Sequence, residues 1–243
     1  MTALFTSELL WAIPVVLVAG LMRGFSGFGG VMIMAPGLGA IYGPAVAVPV
    51  CLMLDLIVSI PFAPAASRTA HWRSILVLAG VAALAVPFGA MVLLMTDADI
   101  LRWTISIAVL VFVTIAAFGW HYEGPPSRIA MIIAGAASGL FTGASGMAGP
   151  PIVFYFLSVF RDARIVRASL IMYFVLIEII ALAILGVSGA ISWSMLELGL
   201  ILAPVILLSA WAGARMFPHV SHDNYRLVAL AVIAVIAVGS LAI

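Results

Sequence analysis

Lysine is absent from this 243-residue sequence, and charged residues of all kinds make up only 8% of it. A soluble domain carries roughly a quarter charged residues, so this chain has too few of them to cover a surface in contact with water. Its hydrophobic fraction of 66% instead predicts an integral membrane protein. The apolar runs are long and have helical rather than alternating periodicity, which favours an all-α polytopic membrane protein over a membrane β-barrel.

Other absences limit the chemistry. The single cysteine, Cys51, cannot form a disulfide within the chain. No basic stretch precedes the first apolar segment, so we expect no cleavable signal peptide. All four histidines fall in predicted loops, and no further histidine or cysteine lies near His219 and His222. The sequence therefore predicts no metal site, no cofactor and no nucleic-acid partner.

The apolar segments are of two lengths. Six of them approach or exceed the roughly 20 residues that a membrane-spanning helix needs, and they cover 45–66, 74–95, 101–119, 166–186, 195–213 and 226–243. The other segments are shorter and form two pairs, 9–22 with 31–42 and 128–141 with 151–160. A Gly-rich break interrupts each pair, so each half of the chain contains one broken pair followed by three longer segments.

The two Gly-rich breaks are copies of one motif. A shift of 119 positions places Gly20, Gly24, Ser26, Gly27 and Gly30 on Gly139, Gly143, Ser145, Gly146 and Gly149 without a gap. Between the copies, Pro125 and Pro126 forbid a helix from continuing. We therefore predict one membrane domain, 1–243, made of internal repeats at 1–120 and 127–243. Each repeat would be a Gly-broken short helix pair plus three transmembrane helices.

The arginines predict how these repeats cross the membrane. If each broken pair leaves the membrane on the side where it entered, one side carries Arg68, Arg73, Arg128, Arg161, Arg164, Arg167, Arg215 and Arg226. The positive-inside rule makes that side cytoplasmic and places both termini on the other side. The repeats then have inverted orientation, a plan that recurs among secondary transporters. The arginines fit both a re-entrant pair and a pair that crosses twice.

The Gly-rich breaks are candidates for an anion site. A broken helix in lipid frees backbone polar groups, which must be buried in protein or line a polar cavity. Glycine lets a ligand approach the backbone closely, and the helix after each break, starting at about Val31 or Pro150–Pro151, presents N–H groups and a positive dipole end. Hydroxyl groups within the motif add further donors. The motif therefore predicts a cradle for a small oxyanion.

The predicted substrate-binding residues come from both copies. They are Arg23, Gly24, Ser26, Gly27, Gly29 and Gly30 in the first, and Thr142, Gly143, Ser145, Gly146 and Gly149 in the second. Arg23 has two interpretations, because its side chain could add charge to the cradle or extend to the cytoplasmic surface. The glycines also have two interpretations. They could form the anion cradle, or they could let helices pack closely, because Gly20-x-x-x-Gly24 and Gly139-x-x-x-Gly143 are patterns that permit such packing.

Two acidic residues lie in the middle of apolar segments, Asp55 in 45–66 and Glu178 in 166–186. An ionised carboxylate costs roughly 2.5–3.5 kcal/mol at the centre of a membrane helix, so such residues are usually functional or paired. We predict that at least one of them exchanges protons during transport. The alternative is a structural carboxylate that is hydrogen-bonded to a neighbouring helix.

In each half the Gly-rich motif stands before a Pro-containing apolar segment, from Gly24 to Pro36 and from Gly143 to Pro151. In this duplicated motif, in its segment layout and in its length, the chain resembles the sulfite exporter TauE/SafE family of bacterial membrane proteins. The resemblance implies a multi-pass transporter of the bacterial inner membrane that moves sulfite, an organosulfonate, or a related oxyanion or carboxylate. The family's run of three glycines is incomplete here, which bears on the substrate more than on the fold.

These features favour a secondary transporter whose partners are a small anionic substrate, the lipid bilayer and, as a candidate homo-oligomer, a second copy of the chain. A passive anion channel and a non-transporting membrane assembly factor are the alternatives. An enzyme is disfavoured. Gly24-Phe25-Ser26-Gly27 and Gly143-Ala144-Ser145-Gly146 match the Gly-x-Ser-Gly motif of intramembrane serine proteases, but no predicted span contains the histidine that such a serine needs as its base.

Overall fold

The computed structural model describes residues 4–117, 127–160 and 162–216, and every regular element within these ranges is helical. In chain order the helices are α1 (Leu4–Ser26), α2 (Gly30–Tyr42), α3 (Pro44–Ser59) followed by a 3₁₀ turn (Ile60–Phe62), α4 (Ala63–Ala66), α5 (Trp72–Met95), α6 (Ala98–Ala117), α7 (Arg128–Ser145), α8 (Gly149–Val159), α9 (Ala163–Val187) and α10 (Trp193–Met216). The predicted span at 226–243 lies outside the described residues.

The chain is a multi-pass membrane protein. Within the described ranges six stretches are long and apolar enough to cross a bilayer, namely Ser7–Phe25, Pro44–Ala66, Trp72–Met95, Arg128–Ser145, Arg164–Val187 and Trp193–Arg215. The helices after the breaks, α2 and α8, have 13 and 11 residues. At about 1.5 Å per residue they are shorter than the hydrocarbon core of roughly 30 Å.

The first arm of each broken pair is longer than the sequence predicts. The expected short segments 9–22 and 128–141 belong to α1 and α7, which continue to Ser26 and Ser145 and are each long enough to span the membrane. The reason is that the first glycines of the motif remain helical, so each helix runs into the motif before it stops.

These helical glycines allow two pairs of helices to pack closely. α1 packs along α10, and α7 packs along α5. A Cβ atom at Gly24 would overlap the backbone of Ala210, and one at Gly143 would overlap the carbonyl oxygen of Val86. Such contact between backbones is what small-xxx-small patterns permit. For Gly24 and Gly143 the structure therefore shows the packing role that the sequence leaves as an alternative.

The close pairs connect the two halves of the chain. The shift of 119 positions that aligns the motifs also aligns α1 with α7 and α5 with α10. α1 of the first half packs against α10 of the second half, and α7 of the second half packs in the same way against α5 of the first half. The matched exchange fits two repeats related by a two-fold axis, while the orientation of the repeats in the membrane stays a prediction.

Gly143→Ala is expected to destabilise the protein by about 1–3 kcal/mol, because the added methyl group would force α7 away from α5. The measurement is thermal unfolding of the purified protein in detergent. Gly80→Ala on α5 is the matched control, since a Cβ there would meet nothing within 4 Å. Alanine is also the better helix former, so the control is expected to be neutral or slightly stabilising. Equal melting temperatures for the two variants would contradict this packing role.

Candidate anion-binding site

Both helices before the breaks stop at a glycine in a left-handed conformation. Gly27 has φ of 77° and Gly146 has φ of 73°, and these two residues occupy the same place in the two motifs. Residues with side chains rarely adopt such a φ, which explains why glycine stands there. The next helices begin at Gly30 and Gly149, within two residues of the predicted starts.

The surroundings of the two breaks also correspond. A Cβ atom at Gly27 would lie 3.1 Å from Cγ of Arg167, and one at Gly146 would lie 3.6 Å from the carbonyl oxygen of Val48. Arg167 and Val48 are themselves equivalent under the shift of 119 positions. Each break therefore lies against the same position of the opposite half, α9 in one case and α3 in the other.

Arg23, on the last turns of α1, is buried with 3% of its surface exposed. Its Nε atom lies 2.8 Å from Oδ1 of Asp55, and its Nη2 donates a hydrogen bond of 2.6 Å to Oγ of Ser59. Nη1 donates to the carbonyl oxygen of Gly27, and the guanidinium group lies 4.9 Å from the ring centroid of Phe174. Arg23 therefore does not extend to the membrane surface, and its charge is held inside the bundle by an ion pair.

Glu178 on α9 completes a cluster of three ionisable groups. It is 2% exposed, and its carboxyl group lies beside that of Asp55 on the wall of one cavity. Its Oε2 atom is buried without a hydrogen-bond partner among the described residues. The structure thus brings together the two acids that the sequence singles out and places both near Arg23. Arg23 forms its ion pair with Asp55, and Glu178 lies beside that pair.

A cavity lies where this cluster meets the two breaks, and we call it the central cavity. It is lined by Arg23, Gly29, Val31, Met32, Asp55, Gly146, Met147, Ala148, Gly149, Phe174 and Glu178. Its volume of about 20 Å³ is close to the space that one water molecule needs. The central cavity is therefore too small for an oxyanion of several heavy atoms, and the structure shows it in a closed form.

The two helix starts at the central cavity differ in the donors they offer. The first turn of α2 begins after Gly29 and contains no proline, so its backbone N–H groups are donors. The first turn of α8 contains Pro150 and Pro151, which have no N–H group. α2 is therefore the stronger N–H source for an anion.

Some predicted site residues do not line the central cavity. The hydroxyl of Thr142 donates to the carbonyl oxygen of Ser138 at 2.7 Å, and that of Ser145 donates to the carbonyl oxygen of Phe141 at 2.8 Å. Both hydroxyls therefore bond to their own helix. The side chain of Ser26 lies outside the described part of the structure. The role of these three residues in binding stays a prediction.

Two residues that the sequence did not single out as site residues hold the backbone of the second break in place by hydrogen bonds. Tyr173 on α9 donates a hydrogen bond of 2.8 Å to Oγ of Ser138, which donates in turn to the carbonyl oxygen of Ala148 at 2.7 Å. These two hydrogen bonds connect α9 through α7 to the backbone between α7 and α8. Ser59 and Phe174 were likewise missed as neighbours of Arg23. The sequence does not indicate which residue a hydroxyl group or an aromatic ring in an apolar segment will contact.

Comparison with known proteins agrees with this architecture. The model of the family described as sulfite exporter TauE/SafE matches residues 12–240. No curated protein and no solved structure was found to match the chain. Members of the matched family are membrane transporters and not enzymes, so the Gly-x-Ser-Gly segments are not protease nucleophiles. Because the match extends over nearly the whole sequence, the chain belongs to the sulfite exporter TauE/SafE family.

Proposed function

We propose that this chain carries a small oxyanion, such as sulfite, an organosulfonate or a related carboxylate, across the bacterial inner membrane together with a proton. Arg23 would bind the anion, and Asp55 and Glu178 would exchange the proton. One observation carries the proposal: a buried arginine is paired with one of two adjacent carboxyl groups on a cavity that both Gly-rich breaks line.

The charges of the cluster suggest how anion and proton are coupled. Two carboxyl groups this close do not readily ionise together, so Asp55 and Glu178 would share one proton and balance the charge of Arg23. An incoming monoanion that binds Arg23 displaces Asp55 and leaves a second negative charge in a medium of low dielectric constant. Proton uptake by Asp55 removes this excess charge. The expected stoichiometry is one proton for each monoanion.

The glycines would bring backbone N–H groups to the same anion. Gly29, Gly146 and Gly149 line the central cavity without side chains that fill it. The first turn of α2 would direct its N–H groups and its positive dipole end at the anion. Gly27 and Gly30 contact the arginines instead, Gly27 against Arg167 and Gly30 against Arg23. Their contribution would be to position Arg23 for binding.

The proposal is tested with purified protein reconstituted in liposomes. We expect radiolabelled sulfite and ethanesulfonate to accumulate when the pH gradient drives protons in the same direction, and to stop accumulating when a protonophore collapses the gradient. Protein-free liposomes are the control. Uptake that equilibrates at the same rate with and without the gradient would indicate a passive channel. Absence of both binding and uptake for sulfite, sulfonates and short carboxylates would contradict the proposal as a whole.

A further inference from the structure

We infer that the protein has a second anion site, formed by Arg23 and Arg167, which receives the anion before it reaches the central cavity. We call this site the vestibule. It is a second cavity of about 10 Å³, closed in this structure like the central cavity, and it is lined by Arg23, Gly24, Gly27, Val58, Ser59, Phe62, Arg167 and Ile171. The inference rests on the proposed function and adds a residue, Arg167, that binds the same class of substrate, a small monoanionic oxyanion.

The charge of the vestibule is of one sign. Two arginines line it, and none of its described lining residues is acidic. The central cavity is different, because Asp55 and Glu178 line it together with Arg23. An anion in the vestibule would meet two guanidinium groups, which are donors that sulfite and sulfonate oxygens accept from.

Arg23 lines both cavities and therefore lies between them. On the vestibule side it donates to Ser59 and to the carbonyl oxygen of Gly27, and on the central side it pairs with Asp55. A change of Arg23 rotamer would therefore carry a bound anion from the vestibule towards the α2 N-terminus. Asp55 would compete with the anion for the same guanidinium group.

The vestibule is close to one end of the bundle. Arg167 lies in the second turn of α9 and is half-buried, and its Nη2 donates to the carbonyl oxygen of Gly24 at 3.2 Å. The loop before α5 lies against the same region, since the backbone N–H of His71 donates to Oγ of Ser169 at 3.0 Å. Exposed arginines from this end, Arg68 and Arg73, would raise the local concentration of anions.

The other half of the chain has no equivalent charge. Val48 occupies the position that corresponds to Arg167, and Thr142 the position that corresponds to Arg23. The second break therefore lies against an apolar residue, whereas the first lies against an arginine. The vestibule is thus a departure from the two-fold plan and serves one side of the membrane.

The test compares Arg167→Gln with Arg164→Gln, which removes an exposed arginine three positions earlier on the same helix. We expect Arg167→Gln to raise both the KM for ethanesulfonate uptake and the Kd from equilibrium dialysis by about tenfold to a hundredfold, as loss of a charge-assisted hydrogen bond implies. Arg164→Gln should change both less than about threefold, since an exposed charge contributes little. Arg167→Lys should recover part of the affinity.

Two results would overturn the inference. One is equal KM and Kd for Arg167→Gln and Arg164→Gln. The other is a lower melting temperature with unchanged KM, because Arg167 would then only stabilise the end of α1 through Gly24. If Arg167→Gln does not fold, Phe62→Glu, which adds a carboxylate to the vestibule, is compared with Phe62→Gln, and equal affinities would reject the site. Wild-type protein that neither binds nor transports anions would instead contradict the proposed function.

Discussion

Arg23→Gln is expected to abolish anion transport and to lower the free energy of unfolding by about 3–5 kcal/mol. Both effects have one cause, since Asp55 would remain buried without its cation, and the anion would lose the only arginine that lines both cavities among the described residues. The measurements are ethanesulfonate uptake in proteoliposomes and thermal unfolding in detergent.

A double variant separates the two effects. Arg23→Gln/Asp55→Asn removes both charges of the pair, so it should recover most of the lost stability and none of the transport. Arg102→Gln is the matched control for an ion pair near the surface. Its partner Asp99 is 3.5 Å away with 80% of its side chain exposed, so the change should cost only about 0–1 kcal/mol. Transport by the double variant at the wild-type rate would show that Arg23 does not bind the substrate.

Asp55→Asn is expected to abolish accumulation of the anion against its gradient while leaving downhill movement measurable. Asparagine is nearly isosteric but cannot release a proton, so proton movement would no longer accompany the anion. With one proton per monoanion, wild-type protein should accumulate substrate about tenfold for each unit of pH difference, because one unit corresponds to about 1.4 kcal/mol. The variant should approach equal concentrations on both sides.

Glu178→Gln and Glu197→Gln complete this experiment. Glu178 shares the cluster with Asp55, whereas Glu197 is an exposed residue on the second turn of α10 and serves as the control. Loss of accumulation in Glu178→Gln alone would assign the proton to Glu178 instead of Asp55. Full accumulation by both Asp55→Asn and Glu178→Gln would show that the proton is carried elsewhere.

Much of the fold follows from local sequence. Length and hydropathy predict four of the six spans that the described residues contain to within a few residues, because burial of a whole helix in lipid needs a continuous apolar run. The break positions follow from glycine, since Gly27 and Gly146 adopt a left-handed φ that other residues avoid. The buried acids Asp55 and Glu178 can also be recognised in the sequence, because a carboxyl group within an apolar segment has a large free-energy cost of burial.

The composition of the site does not follow from the sequence. Arg23, Asp55 and Glu178 lie on three different helices, and only their packing brings them together. The motif glycines look alike in the sequence but differ in role, because Gly24 and Gly143 contact other helices while Gly29 and Gly149 line a cavity. Thr142 and Ser145 bond to carbonyl groups of their own helix, an outcome that depends on helix geometry and not on spacing within the motif.

The exchanged helix pairs limit the motions by which the site can alternate its access between the two sides of the membrane. α1 is held against α10, and α5 against α7, by backbone contacts that leave no room for a Cβ atom. Rocking of the first sequence repeat against the second would separate both pairs at once. A motion that preserves these contacts would instead move α1 with α10 as one body and α5 with α7 as another, and each of these bodies is assembled from both halves of the chain.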